Sequence, residues 1–499
     1  MRDSTGPAAR ASGGLVAAGA HLRRGACQHW AVALLPPLTD TIVAIASAPG
    51  VGAVGVVRLS GPSAYAIADS IFVPRRGGKP SSRPAGRVIY GDVVAQPSGA
   101  DQQSGAAGKT IDEALMLTFR APRSYTAQDV VELQTHGGAA VLREALDLCV
   151  AHGARLAQPG EFTLRAFLNG RIDLLQAESV LDMVNAQSDG ARRNAALGLS
   201  GALTTKLNAV QSHLTGAYAA VQASFDYPDE GVPEAQLGAP LEAAAHEIAA
   251  LLSTASAGRL SRQGARLALL GRPNAGKSSL LNALLGYQRS IVSDTPGTTR
   301  DYLEAPLVIG GVHVTAIDTA GIREAADAVE ASGVEQARHI GRHADVRLVV
   351  LDGSEPLTAD DHELLRAVQD GRTVVVVNKR DKPAAFDAGE LGLAEGVAVL
   401  ELSALTGAGL QELERVITDA LLGDAATTEL WITHERHVAA LEAANEHVSA
   451  ARLQAEAGDL DLVALELQDA LTALAAMTGR HDVAEETLAS IFASFCVGK

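Results

Sequence analysis

Residues Gly271–Ser278 read GRPNAGKS, with the apolar run LALLG (267–271) leading in and SLLNALLG (279–286) following. That order predicts a buried strand, a phosphate loop of the form G-x-x-x-x-G-K-[ST], and a helix. Glycines in such a loop let backbone N–H groups turn toward phosphate oxygens, and the helix N-terminus adds its dipole. In this frame Lys277 reaches the β- and γ-phosphates and Ser278 holds Mg²⁺. A lone match is also what a glycine-rich turn before a helix would give.

Four further elements follow in order and decide guanine over adenine. GTTRD (297–301) lies where a first switch segment belongs, with Thr299 as a Mg²⁺ ligand when the γ-phosphate is present. DTAG (318–321) follows the strand-like VTAI, placing Asp318 near the metal and the Gly321 N–H toward the γ-phosphate. TVVVV (373–377) reads as a buried strand delivering NKRD (378–381). There the Asp381 carboxylate accepts the N1–H and exocyclic amine of guanine; adenine would leave that charge unpaired. SAL (403–405) fits the backbone element that supports the guanine O6. Together these define a doubly wound α/β GTPase domain.

Two positions depart from the small-GTPase pattern. After the DTAG glycine stands Ile322, which cannot orient an attacking water as a glutamine would. Asn274 offers an amide oxygen to a monovalent cation, and K⁺ there would stabilise the charge an arginine finger stabilises. By residue type alone Asn274 is better read as a turn former, and Arg272, Arg300 and Arg323 are rival fingers.

A chain of 499 residues has room for about three domains. No apolar run approaches the roughly 20 residues that span a bilayer. Cys27, Cys149 and Cys496 are too scattered for a disulfide framework or a zinc site, which fits a reducing, cytoplasmic compartment. A net charge of −17 argues against broad non-specific nucleic-acid binding and leaves room for a local basic site.

Residues 1–38 are rich in Ala, Gly and Arg and read as a poorly ordered extension. From Thr39 to about 155 the pattern is mixed α/β: DTIVAIAS, GAVGVVRLSG, RVIYGDVVA and EALMLTFR as strands, SAYAIADSIF and residues 137–154 as helices, and 96–110 as a loop. Residues 156–262 and 424–499 are helical in pattern and flank the GTPase stretch 263–423. The fold class is therefore α/β plus α, with the GTPase inserted into a helical domain.

Several other stretches have bland readings. In PGEFTLRAFLNGRIDLLQAE (159–178), Arg165 and Arg171 read as a solvated face on residue type alone. THGG (135–138) reads as a turn at a helix start rather than a catalytic histidine, and FCVGK (495–499) as a tail whose Cys496 is packing.

Taken together, DTIVA, RLSG, THGG, PGEFTLRAFLNGRIDL, FDYPDE (225–230), GRPNAGKSSLLNAL, GTTRD, DTAGIRE and terminal FCVGK resemble the MnmE (TrmE) family of tRNA uridine modification GTPases over residues 39–499. The terminal motif has Val497 where the family usually has isoleucine. The resemblance implies an N-terminal domain that forms a homodimer and binds a 5-formyltetrahydrofolate-type donor through Arg58, Glu132, Arg171 and Lys499. Cations there suit the folate carboxylates, and a carboxylate suits the pterin donors. It places the family's terminal cysteine at Cys496, a candidate in the modification chemistry, and its water-orienting glutamate at Glu330.

For the nucleotide the resemblance implies contacts from Asn274, Ala275, Gly276, Lys277, Ser278 and Ser279. The first switch would add Ser293, Asp294, Thr295, Pro296, Gly297, Thr298 and Thr299, and the second Asp318, Thr319, Ala320 and Gly321. Asn378, Lys379, Asp381, Ser403, Ala404 and Leu405 would hold the base. K⁺ would be held by Asn274, Ser293, Thr295 and Thr298. Pro296 has no N–H, so no nucleotide contact can use one there. The implied partners are tRNA and the flavin-containing MnmG (GidA) in a heterotetramer, with no membrane. A regulatory GTPase switch in ribosome or RNA assembly is the alternative; it would have no use for a terminal FCVGK.

Overall fold

The computed structural model describes residues 39–95, 109–226, 235–289, 304–318, 344–367, 370–479 and 484–498. Residues 1–38, the first-switch residues Ser293 to Thr299, Arg300, Thr319 to Arg323, Glu330 and Lys499 lie outside them.

The N-terminal region runs β1 (Ile42–Ile45), β2 (Gly52–Ser60), α1 (Ala64–Ile71), β3 (Phe72–Pro74), β4 (Val88–Ala95), β5 (Lys109–Phe119), β6 (Val130–Gly137), α2 (Ala139–Ala151) and β7 (Arg155–Leu156). Its seven strands lie in the order β3-β4-β5-β6-β2-β1-β7, antiparallel except for β1 beside β7. Because side chains alternate across a strand, one face carries Val57, Leu59, Ile89, Met116 and Leu133 into a core with Ile67 and Ile71 of α1 and Leu142 of α2. The opposite face carries Arg58 and Glu132, which stand opposite each other in the register. Strand β6, not among the strands expected from the sequence, alternates Val131, Leu133 and Thr135 toward the core with Glu132, Gln134 and His136 on the opposite face. Lys109 and Thr110, expected in the loop 96–110, instead pair with Ala95 and Val94, carrying β5 past a bulge at Val93/Val94.

Helices α3 (Glu161–Leu168), α4 (Leu174–Asn185), α5 (Asp189–Leu199), α6 (Ala202–Asp226), α7 (Ala235–Ser253) and α8 (Ala255–Gln263) follow. Asp173 and Gln176 close a reciprocal capping box on α4. The GTPase region then runs β8 (Ala265–Leu270), α9 (Lys277–Arg289), β9 (Glu304–Ile309), β10 (Val312–Asp318), β11 (Val346–Asp352), α10 (Ala359–Ala367), β12 (Thr373–Asn378), β13 (Ala398–Glu401) and α11 (Leu410–Leu422). Its sheet order is β13-β12-β11-β8-β10-β9, parallel except for the β9–β10 hairpin. Strands β11 and β12, buried along nearly their whole length, are the continuous apolar runs that a sheet covered on both faces requires.

The chain returns through α12 (Glu435–Ala457), α13 (Leu460–Thr478) and α14 (Glu485–Ala493). Leu207, Val210, Leu214 and Val221 of α6 share one core with Ile248 of α7, Leu441 and Val448 of α12, and Leu467 and Leu474 of α13. Their three- and four-residue spacing makes a helical stripe, so segments on either side of the GTPase region form one helical body. At the exit Trp431 packs into the GTPase core while Leu430 and Ile432 pack into the helical one. Asn194 holds this joint by donating to the Trp431 carbonyl at 3.2 Å and accepting its N–H at 2.8 Å. Among the described residues no helix is long and apolar enough to cross a membrane.

Candidate functional site

The loop after β8 turns through Asn274, whose φ of 64° is left-handed, and Gly276 at φ 96°. Asparagine tolerates that conformation better than most residues. A Cβ on Gly276 would stand 2.2 Å from Asn378 Nδ2, so glycine is required by contact as well as by φ. Lys277 opens α9 and is buried; its ammonium donates to the carbonyls of Gly271 at 2.7 Å and Arg272 at 2.8 Å, lying across the loop it must serve. Ser278 and Ser279 are exposed at the next two positions. Asp318 ends β10 opposite Leu269, beside the strand that feeds the loop.

Asn378 ties the phosphate loop to the base-recognition loops. It donates to the Ala275 carbonyl at 3.1 Å and accepts from the Ala404 N–H at 3.0 Å, buried throughout. Asp381 accepts from the Ser403 hydroxyl at 2.5 Å; that bond holds its carboxyl below the usual carboxylate range, so it is ionised and available at neutral pH. Lys379, at φ 63°, pairs with Asp352 at 2.5 Å, and Leu405 is exposed. Asp352, at the end of β11, does not stand out in the sequence, although VRLVVLD ends in an acid just as TVVVV leads into NKRD. Of the rival arginines, Arg272 lies 3.4 Å from Asp361. A glycine without room for a Cβ, a lysine and an asparagine on the loop carbonyls, and oxygen donors at a helix start fit a nucleotide triphosphate with a hard cation.

A second cluster forms where the chain ends. Arg58 pairs with Glu132 at 2.7 Å, and Arg58 Nη1 donates to the Gly498 carbonyl at 3.3 Å. Its guanidinium lies 5.4 Å from the Tyr125 ring and 5.7 Å from that of Phe162; the Arg171 guanidinium lies 5.1 Å from the Tyr125 ring. Neither aromatic stands out in the sequence, where nothing marks them as neighbours of RLSG. Leu488, Phe492 and Phe495 pack on Leu164, Leu174 and Leu181, which directs the last residues back to β1. Gly498, at φ 100°, is so close that a Cβ would stand 2.5 Å from the Ile45 carbonyl. The Cys496 carbonyl accepts from the Gly160 N–H at 3.4 Å while its residue is exposed. Cations, a carboxylate and aromatic faces gathered at Arg58 suit a planar, polyanionic ligand such as a folate.

The solvated-face reading of Arg165 is overturned. Arg165 is fully buried, pairing with Asp40 at 2.5 Å and Glu161 at 2.9 Å, and Arg155 reaches the same two acids, each at 2.7 Å. Burial raises the Asp40 carboxyl, but Arg155 and Arg165 more than reverse this and hold it below its ordinary value. Arg171 is exposed. THGG is not a turn at a helix start: Thr135, His136 and Gly137 end strand β6, paired with Gly55, Val54 and Gly52, and only Gly138 caps α2, with His136 exposed. Its bond to Asp112 at 2.8 Å raises the His136 pKa. Cys149 is buried, its thiol pushed up to about 12 by desolvation, and serves packing.

Fold and site define a GTPase of the phosphate-loop class inserted into a helical body. The family described as MnmE helical domain matches residues 174–496, and that described as GTP-binding protein TrmE N-terminus matches 41–171. The tRNA modification GTPase MnmE of Thermus thermophilus is 47% identical over 93% of this chain and 100% of its own length. That of Chloroflexus aurantiacus is 43% identical over 93% and 100%. The G domain of the T. maritima FeoB iron transporter covers 31% of this chain and 98% of its own at 26% identity, with a TM-score of 0.24, too low to carry any argument. The chain belongs to the MnmE family of tRNA modification GTPases.

Proposed function

We propose that this GTPase hydrolyses GTP in a K⁺-activated reaction and, as a homodimer with the flavin-containing MnmG (GidA) in a cytoplasmic heterotetramer, forms the 5-carboxymethylaminomethyl group on the wobble uridine of certain tRNAs, taking one carbon from a folate. The observation that carries the modification half is the seating of the terminal motif at Arg58, whose guanidinium pairs with Glu132 and donates to the Gly498 carbonyl, two residues from an exposed Cys496. A regulatory switch has no need to return its last residues there.

On GTP binding Lys277 exchanges its loop carbonyls for the β- and γ-phosphate oxygens, and Asp381 accepts the guanine N1–H and amine. Ser278 and Thr299 hold Mg²⁺, while Asn274, Ser293, Thr295 and Thr298 hold K⁺. When bound, these cations neutralise charge developing on the phosphate oxygens. The engagement of Arg272 with Asp361 supports a cation over that arginine in this role. Glu330 orients the attacking water, a task Ile322 cannot perform. At the other site Arg58, Arg171 and Lys499 hold folate carboxylates, Glu132 holds the pterin donors, and Cys496 faces the reacting uridine.

The test pairs two measurements. Hydrolysis by the full-length protein should be fast in K⁺ and slow in Na⁺ at matched ionic strength; equal rates would remove the cation and return the arginines. Mass spectrometry of wobble nucleosides from cells lacking the protein should show the modification missing and restored by complementation. Its presence without the protein would refute the reading.

A further inference from the structure

We propose that the loop joining β3 to β4 is a contact surface for RNA phosphates beside the Arg58 site, an inference that rests on the reading of this chain as acting on tRNA. In a chain of net charge −17, residues 75–87 read RRGGKPSSRPAGR: Arg75, Arg76, Lys79, Arg83 and Arg87, with no acid between Asp69 and Asp92. A run of like charge in a loop is ordinarily solvated, and three features set this one apart.

The first is rigidity. The loop is tied down at Ser81, whose N–H donates to Asp69 Oδ1 at 2.8 Å, and at its ends by Arg75 N–H to Tyr90 O at 3.0 Å and Gly86 N–H to Thr118 O at 2.7 Å. Arg83 turns inward, donating to the carbonyls of Gly78 and Arg76. Arg75 is paired with Asp92 at 2.8 Å and lies 3.6 Å from Glu113. Two of the five cations therefore organise the loop, and the other three, Arg76, Lys79 and Arg87, are exposed with no ion pair to a described residue. A pre-ordered loop binds without first losing conformational freedom.

The second is an aromatic face. Arg75, Arg76, Arg83, Tyr90 and Glu113 line a cleft of about 470 Å³, in which Tyr90 is half exposed and stacked by Arg75 at 5.8 Å. Basic grooves with an exposed ring are how single-stranded nucleic acid is held, the cations tracking phosphates and the ring taking a base.

The third is position. Val88, the residue after the loop, stands in register with Leu117, Leu117 with Glu132, and Glu132 with Arg58. Residues directly opposite share a face, so the loop opens onto the face that carries Arg58 and Glu132. Three inter-strand spacings of ~4.8 Å put it about 15 Å from the site that receives Gly498 and Cys496. A short single strand spans that distance. With the wobble base at Cys496, phosphates flanking it would cross Arg76, Lys79 and Arg87. Single-stranded loops are the parts of RNA that proteins read most readily.

The experiment measures binding of an unmodified tRNA transcript to the full-length protein by fluorescence anisotropy across a salt series. Arg76→Ala/Lys79→Ala/Arg87→Ala should weaken binding by at least about tenfold and lower the slope of log affinity against log salt by about three, one per phosphate contact removed. Tyr90→Ala should cost about tenfold with the slope unchanged, since stacking releases no counterion. GTP hydrolysis should be unaffected. Unchanged affinity and slope in the triple variant would overturn the surface, and so would loss of the homodimer in place of RNA affinity, which would make the loop a contact between copies. Failure of the wild type to restore the wobble nucleoside in cells would instead overturn the functional reading beneath it.

Discussion

In the GTPase region the described residues proposed to meet the nucleotide stand at the C-terminal ends of parallel strands: the phosphate loop after β8, Asp318 at the end of β10, Asn378 to Asp381 from the end of β12, and Ser403 after β13. Around Arg58 the groups come from β2, from β6 with the loop before it (Glu132, Tyr125), from α3 with the turn after it (Phe162, Arg171), and from the last residues of the chain. The first site is thus the edge of one sheet, where open parallel sheets bind ligands. The second is assembled from four distant segments and exists only when α14 is docked. Hydrolysis should accordingly be a local property of 271–405, and modification a property of the whole fold.

The widest separation is expected at Cys496. Cys496→Ser should abolish wobble modification, since a hydroxyl replaces a potential thiolate, and leave hydrolysis unchanged. Deleting residues 495–499 should do the same and also weaken folate binding through loss of Lys499. Hydrolysis falling together with modification in the truncation would erase the contrast between the two sites. Full modification by Cys496→Ser would leave the thiol a packing role.

Glu330→Ala should lower hydrolysis by about 10²-fold, in the range of general-base effects, with GTP affinity nearly unchanged because the water lies outside the phosphate contacts. A large loss of affinity in single-turnover and binding assays would make Glu330 structural. Asp381→Asn should weaken GTP by roughly 10- to 100-fold, the worth of hydrogen bonds to a charged group, while improving xanthine nucleotide binding. Equal affinity of the wild type for ATP and GTP would contradict guanine selection by this residue.

The smallest effect tests the platform under the second site. Arg155 and Arg165 hold the Asp40 carboxyl below its ordinary 3.8, so its folded pKa lies under the unfolded one. Its stabilisation is therefore present above about pH 4 and disappears as the pH falls through the folded value. Asp40→Asn should lower the melting temperature modestly at pH 7 and by less at pH 3, with hydrolysis unaffected. A deficit equal at both pH values would show that packing, not charge, is what Asp40 supplies there.

How much is legible follows the same division. GRPNAGKS, NKRD and the buried runs before them encode their geometry locally, because a glycine at φ 96° and a strand that ends in a loop depend on adjacent residues. Strand β6 alternates Val131, Leu133 and Thr135 inward with Glu132, Gln134 and His136 outward, which is itself a strand pattern, but its place between β2 and β5 is set only by tertiary pairing. Arg165 misleads for a related reason. Nothing near it in sequence announces Asp40, which lies more than a hundred residues away and turns an apparent surface cation into a fully buried one.

The order of the nucleotide motifs and the helical stripes on either side of them determined, from sequence alone, that a GTPase is inserted into a helical body. The same stripes did not say where the last five residues would go. That was decided by tertiary packing: Leu488, Phe492 and Phe495 bury against Leu164, Leu174 and Leu181, and the described chain beyond them runs past Gly160 to Ile45 and Arg58. Periodicity reports which side of a helix is apolar, whereas the partner of that side is set by the competition of all buried surfaces at once.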